Sequence, residues 1–178
     1  LPLYHVAAAF YNVVRAAWSG CQVAVWDRFS PTDFWNRIKK CKGTFAILLD
    51  VMVPWLMMQE ATPEDRNNTL KMVHMQPLAE NHHEMAERFG IDFITIGYGS
   101  TEAGGVLGDE EGTPPELRSG HTKDEMRALI KKINMPLVPG QEDVMKGFMG
   151  KPALLQEIAI LGDNGQPVSS GSPGQLVI

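Results

Sequence analysis

Apolar positions take two alternating textures through the first hundred residues of the chain. Short continuous apolar runs alternate with segments whose apolar positions recur every three or four residues. The first segment, VAAAFYNVVRAAWSG (6–20), is apolar on most faces and ends at Gly20, which predicts a buried helix closed by a glycine. CQVAVWD (21–27) follows as a short strand. SPTDFWNRIKKCKG (30–43) has the order of a helix start: Ser30 as N-cap, Pro31 at the first position, Asp33 in the first turn. Basic residues fill its last turn before Gly43. TFAILL (44–49) is a continuous apolar strand, and VMVPWLMMQEA (51–61) a helix with Pro54 in its first turn. After the polar connection TPEDRNNT (62–69) come a strand, LKMVHMQ (70–76), and an amphipathic helix, AENHHEMAERFG (79–90). A further strand, IDFITIG (91–97), follows.

Strands that are apolar throughout are buried on both faces, as in a parallel sheet covered by helices. The expected fold is therefore α/β, a mostly parallel sheet with helices on both faces, followed by a small β element. In such sheets ligands collect beyond the carboxyl ends of the strands. Residues 1–105 form the α/β layer in this reading. Residues 106–148 are a long polar stretch rich in Gly and Pro, with one helix over 122–133. Residues 149–178 begin a small β subdomain, with two strands turned by Asp163, Asn164 and Gly165.

Composition narrows the classes. The chain has 178 residues, 44% of them hydrophobic, which is enough for one core without disulfide or metal staples. A net charge of -5 argues against a nucleic-acid partner. Two cysteines, Cys21 and Cys41, define no disulfide framework and fit a reduced, cytoplasmic setting. No apolar run reaches the length of a transmembrane segment. The chain opens on LPLYHV and closes inside a strand-like GQLVI, as expected of a piece of a longer protein. Nothing in the sequence sets an oligomeric state.

The chemistry concentrates at Gly97–Gly105, GYGSTEAGG. One reading is a strand–turn–helix junction capped by Ser100 or Thr101. The other is an anion site. Backbone N–H groups of a glycine loop and a hydroxyl suit a phosphate, a carboxylate such as Glu102 suits Mg²⁺, and Tyr98 offers a flat face to a base. The spacing is neither a P-loop nor G-x-G-x-x-G. Of the histidines, His5 between LPLY and the first helix reads as partly buried. His82 and His83 read as a solvated face, since adjacent helical residues do not share a side. For His74 and His121 the linear sequence suggests no obvious partner. Met52, Met57, Met58, Met72 and Met75 read first as core packing.

Taken in order, several segments resemble the adenylate-forming, AMP-binding acyl-CoA synthetase family. PLYH (2–5) resembles its P-L-F-H segment, and AVWDRFSPTDFWNRIKKCKGT its strand–helix–strand pattern. ERFGIDFITIGYGSTEAGG resembles R-F-G … Y-G-x-T-E, and GKPALLQEIAILGDNGQPVSSGSPGQLVI resembles G-x-P … E-I-x-I … G-x-x-G-E-L-x-I. LKMVHMQPL sits where the family carries an adenine-contacting Gly-Gly-Ala-Pro-like loop; it lacks the double glycine and is closer to the carnitine/crotonobetaine-type branch.

The resemblance implies an N-terminal-domain fragment of an ATP-dependent acyl-CoA ligase, inactive alone. Thr101 would contact the AMP phosphate, and Glu102 would hold Mg²⁺ on ATP; these two are the catalytic candidates. Tyr98, Gly99, Ser100, Met75 and Gln76 would line the nucleotide, and His5 and Gly97 the acyl pocket. Its substrates would be a small carboxylic acid, ATP and coenzyme A. The family's phosphate loop with its lysine, its ribose-binding aspartate and its C-terminal domain are not among these residues. Two other readings stand beside it: an adenylation domain that loads a carrier protein, and a flavodoxin-like phosphate- or nucleotide-binding module without turnover.

Overall fold

A computed structural model describes residues 2–100, 104–108, 137–139 and 157–178, with single positions at 125, 128, 149 and 152. In chain order the elements are α1 (Val6–Ala8), a π-helical stretch (Ala9–Val14), α2 (Arg15–Ser19), α3 (Phe34–Cys41), β1 (Phe45–Leu48) and α4 (Met52–Met57). Then come β2 (Met72–Met75), α5 (His82–Phe89), β3 (Phe93–Thr95), β4 (Gly97–Ser100) and β5 (Gly104–Gly108). β6 (Leu137–Pro139), β7 (Ala159–Leu161) and β8 (Gln175–Val177) complete the described set.

The main sheet has the order β1-β2-β3-β6. β1, β2 and β3 run parallel, and β6 joins β3 antiparallel, so the polar stretch after Gly105 supplies a strand to the sheet. Register places Ala46, Val73 and Ile94 level, and Ile47, His74 and Thr95 level one residue on. Side chains alternate along a strand, so these two rows face opposite ways.

One face is the core. Leu48, Val73, Met75 and Ile94 pack there with Ile38 of α3, Val53 and Leu56 of α4, and Met85, Ala86 and Phe89 of α5. Trp35 of α3 stacks on Phe89 with ring centroids 4.2 Å apart. Burying each large aliphatic or aromatic side chain contributes about 2 kcal/mol. The other face carries Phe45, Ile47, His74, Phe93 and Thr95. Toward it stands the first helix, with the Arg15 guanidinium 4.7 Å from the centre of the Phe45 ring.

Two expectations change here. The first helix forms over the expected residues and closes at Gly20 in the left-handed region, at φ 70°. It is not buried: Phe10 is 60% and Trp18 88% exposed, while Ala8 and Ala16 are covered. Only the side with the small residues and Arg15 meets the sheet. Cys21–Trp26 forms no strand. An open cavity of about 1720 Å³ is lined by this segment and by β1, and β residue types alone make no strand without a ladder partner.

A third expectation shifts: α3 starts later than its sequence signals, with Asp33 rather than Ser30 as N-cap, and Pro31 lies in a turn ahead of it, where Ser30 Oγ accepts from the Asp33 N–H at 3.3 Å. Elsewhere local grammar holds. α5 ends at Gly90, φ 71°. β7 and β8 pair antiparallel as expected. At Gly174 a Cβ would lie 2.7 Å from the Leu161 carbonyl oxygen, so only glycine fits there. Of the helix expected over 122–133, Glu125 and Ala128 are described, and both are helical.

Arg88 ties the polar connection to α5. Its Nε donates to Asp65 at 2.6 Å, Nη1 to the Met57 carbonyl at 2.8 Å, and Nη2 to the Gln59 and Glu60 carbonyls at 2.9 and 3.0 Å. Burial alone would push the Asp65 carboxyl up, but hydrogen bonds from Arg88 and Thr62 outweigh it and hold the group below its ordinary value. A depressed carboxylate stabilises the fold fully above its unfolded pKa, and that contribution fades as pH falls through the folded value. Arg88→Ala should therefore lower the unfolding free energy by about 3 kcal/mol in urea titration, because it strands Asp65 and three carbonyls. Asp65→Asn should remove part of the stability that the wild type loses below about pH 4. Urea midpoints unchanged by Arg88→Ala would contradict this.

Candidate functional site

The parallel strands deliver their carboxyl ends to one edge of the sheet. His74 and Thr95 are level, so two residues further on Gln76 and Gly97 leave β2 and β3 beside each other. The Gln76–Pro77 peptide is cis. Met75 is wholly buried in the core and its sulfur accepts from the Ala79 N–H at 3.2 Å, so only its backbone faces the edge.

Beyond Ile96 the chain forms a hairpin instead of the capped helix considered above. β4 pairs antiparallel with β5, with Gly97 opposite Gly108, Tyr98 opposite Leu107, Gly99 opposite Gly105 and Ser100 opposite Gly104. The register shifts at Tyr98/Gly99, as in a β-bulge. Glycine opposite glycine leaves bare backbone, the condition for close approach of a ligand. Tyr98 is 37% exposed on this hairpin. Thr101 and Glu102, between the end of β4 and the start of β5, lie outside the described residues.

His5 takes a different place. It is the N-cap of α1, and its Nδ1 accepts from the Ala7 N–H at 3.1 Å. Its side chain is exposed, and its hydrogen bonds are local. The structure thus gathers Gln76, Gly97, Tyr98 and Gly99 at one edge, and no described contact joins His5 to them.

Two residues that carry no obvious signal in the sequence stand directly beneath that edge. His74 is 3% and Thr95 5% exposed. His74 Nδ1 lies 2.9 Å from Thr95 Oγ1, and Nε2 lies 3.2 Å from Gln76 Oε1. The usable signal was spacing: His74 and Gln76 lie two residues apart, and Thr95 comes level only once the register is known. His82 also departs from expectation. It is fully buried rather than solvated, with Nδ1 2.7 Å from the Ala79 carbonyl oxygen. Among the described residues no group of three His, Cys, Asp or Glu could hold a metal ion, and no helix is long and apolar enough to cross a membrane.

A sheet edge with a glycine-lined hairpin fits the family resemblance, and comparison with known proteins agrees. The whole chain, residues 1–178, matches the AMP-binding enzyme family, and the protein belongs to it. It is similar to the crotonobetaine/carnitine–CoA ligase of Salmonella typhi, 30% identical over 158 residues, which cover 85% of this chain and 30% of that one. The chain thus spans about a third of the length of the curated relatives it matches. Its fold is like that of the O-succinylbenzoate coenzyme A synthetase of Bacillus subtilis in complex with ATP and magnesium (TM-score 0.61, 20% identity, 99% of this chain and 30% of that one). It is also like that of a benzoate CoA ligase of Burkholderia xenovorans (TM-score 0.67, 16% identity, 98% and 30%).

Burial pushes the His74 pKa down; the Gln76 hydrogen bond raises it, and the positive Arg15 lowers it, leaving it below the ordinary value. A histidine with a depressed folded pKa binds its proton more readily in the unfolded chain. Stability is then complete above about pH 6.5 and falls as pH drops through the folded value. The expected outcome is a loss of stability as pH falls below about 6.5 that His74→Gln reduces, read from urea midpoints across pH. Parallel pH profiles for the two proteins would count against it.

Proposed function

We propose that the protein of which these residues form part is an ATP-dependent acid–thiol ligase, and that this segment builds one wall of its nucleotide site. The observation that carries the reading is the glycine-on-glycine hairpin that leaves β3 beside Gln76 and leads in sequence to Thr101 and Glu102. Support comes from membership of the AMP-binding enzyme family and from the coenzyme A ligases among its relatives.

In this reading a carboxylate oxygen of the acid attacks the α-phosphorus of ATP, and the bond to pyrophosphate breaks. The thiol of coenzyme A then attacks the acyl carbon of the adenylate and releases AMP. The chain's own groups bind and orient. Tyr98 and Gly99 lie along the base, and Ser100 and Thr101 offer hydroxyl donors to the phosphates. Gly97 leaves room at the acyl side, and His5 is a candidate for that pocket. Met75 contributes through its backbone and Gln76 through its amide. Positioning and charge neutralisation dominate such a transfer.

Magnesium fits the donors. Glu102 and Thr101 are hard oxygen groups, the donor type this ion prefers. Magnesium usually binds one or two carboxylates together with substrate phosphates, and Glu102 would be such a carboxylate. When bound the ion would neutralise phosphate charge. The acyl group remains a small carboxylic acid, and coenzyme A is favoured over a carrier-protein thiol by the relatives' names.

Thr101→Ala and Glu102→Ala in the complete protein should each lower acyl-adenylate formation by about 100-fold or more, measured as acid-dependent ATP–pyrophosphate exchange. Near wild-type exchange in both would remove their assigned roles. The 178 residues alone should form no thioester from ATP, an acid and coenzyme A. Turnover by that piece would refute the division of the site, and nucleotide binding without exchange in the complete protein would favour a binding module.

A further inference from the structure

We propose that His74 is a positioning residue for the nucleotide site: from beneath the sheet edge it holds the Gln76 amide oxygen, so that Gln76 presents its amide N–H groups to a purine ring nitrogen. This rests on the reading of that edge as a nucleotide site.

The geometry assigns the protons. The Gln76 Oε1 can only accept, so the His74 Nε2 3.2 Å away carries the hydrogen. In the neutral imidazole Nδ1 is then the acceptor, and the Thr95 hydroxyl donates to it across 2.9 Å. The direction of the chain of bonds is therefore Thr95 to His74 to Gln76. Strand register sets its first half, because His74 and Thr95 are level on neighbouring strands, and Gln76, just past the end of β2, meets His74 from the edge.

A glutamine amide at a sheet edge can turn over and offer either its oxygen or its nitrogen. Here the oxygen is taken from below. What remains for a ligand is a donor pair, which suits an acceptor nitrogen of a purine. Both supporting side chains are almost fully buried, so water does not compete for these bonds, while Gln76 itself is half-exposed at the edge. A buried histidine on an otherwise apolar strand is costly unless hydrogen-bonded, and here its bonds lead to the site.

The test is equilibrium binding of MgATP to the complete protein, with magnesium tripolyphosphate as a probe that has phosphates and no base. Gln76→Ala and His74→Phe should each weaken MgATP about tenfold, the equivalent of one hydrogen bond. Binding of tripolyphosphate should be unchanged. The double variant should be no weaker than the weaker single variant, and His74→Gln, which keeps an N–H at that end, should restore most of the affinity. If Gln76→Ala binds MgATP normally, Gln76 does not touch the base and the proposal falls with that assignment. If Gln76→Ala weakens MgATP but His74→Phe does not, the nucleotide reading stands and the positioning role is overturned. An equal loss for MgATP and tripolyphosphate in His74→Phe would show a purely structural role and also overturn it. Should His74→Phe fail to fold, ¹⁵N NMR of the wild type decides: protonation at Nε2 is expected, and an Nδ1–H tautomer would overturn the proposal.

Discussion

Parallel pairing of β1, β2 and β3 is the constraint on which the rest of the chain depends. Parallel neighbours cannot be joined by a tight turn, so each needs a crossover, here through α4 and α5. The crossovers cover one face, and there the apolar side chains of the sheet find Ile38, Leu56, Met85 and Phe89. The same pairing brings all three carboxyl ends to one edge. A site at that edge is a consequence of topology before any particular side chain is considered.

The two faces of the sheet do different work. The helix-covered face is dry and apolar and supplies most of the stability. The opposite face admits His74 and Thr95, polar groups that a fully packed core tolerates only in bonded pairs. Because the side-chain period is two, a row of core residues and a row of site-supporting residues share the same short strands. Arg88 plays the corresponding part at the periphery. Its bonds to Asp65 and to the carbonyls at Met57, Gln59 and Glu60 hold the irregular connection against α5, which in turn sets where β3 begins.

Much of the site was legible one segment at a time. The run Phe93–Ile96 followed by Gly97, Tyr98 and Gly99 marks a strand opening into bare backbone, and the hydroxyls and carboxylate after it mark chemistry suited to phosphates. What local reading mistook was context. Gly97–Gly105 looks equally able to cap a helix, and the choice fell to β5, whose glycines meet those of β4 across a ladder. His82 and His83 read together as a solvated face because adjacent helical residues form no shared site, yet the helix turns His82 inward against the Ala79 carbonyl. Cys21–Trp26 has strand composition and no ladder partner, and its Val25 is 58% exposed.

By itself, the sequence determined the alternation of strand and helix, the glycines that end α2 and α5, the two strands near the C-terminus and the family. These depend on residue type and spacing over a few neighbours. Only the tertiary structure decided that one face of the sheet packs the main core while the other sets His74 and Thr95 among apolar side chains, and that β6 joins β3. It also decided that His74, whose partners do not show in the linear chain, stands between Thr95 and Gln76. The reason is register: the contact between His74 and Thr95 spans twenty-one residues and exists only when two parallel strands are level. No local pattern encodes that alignment.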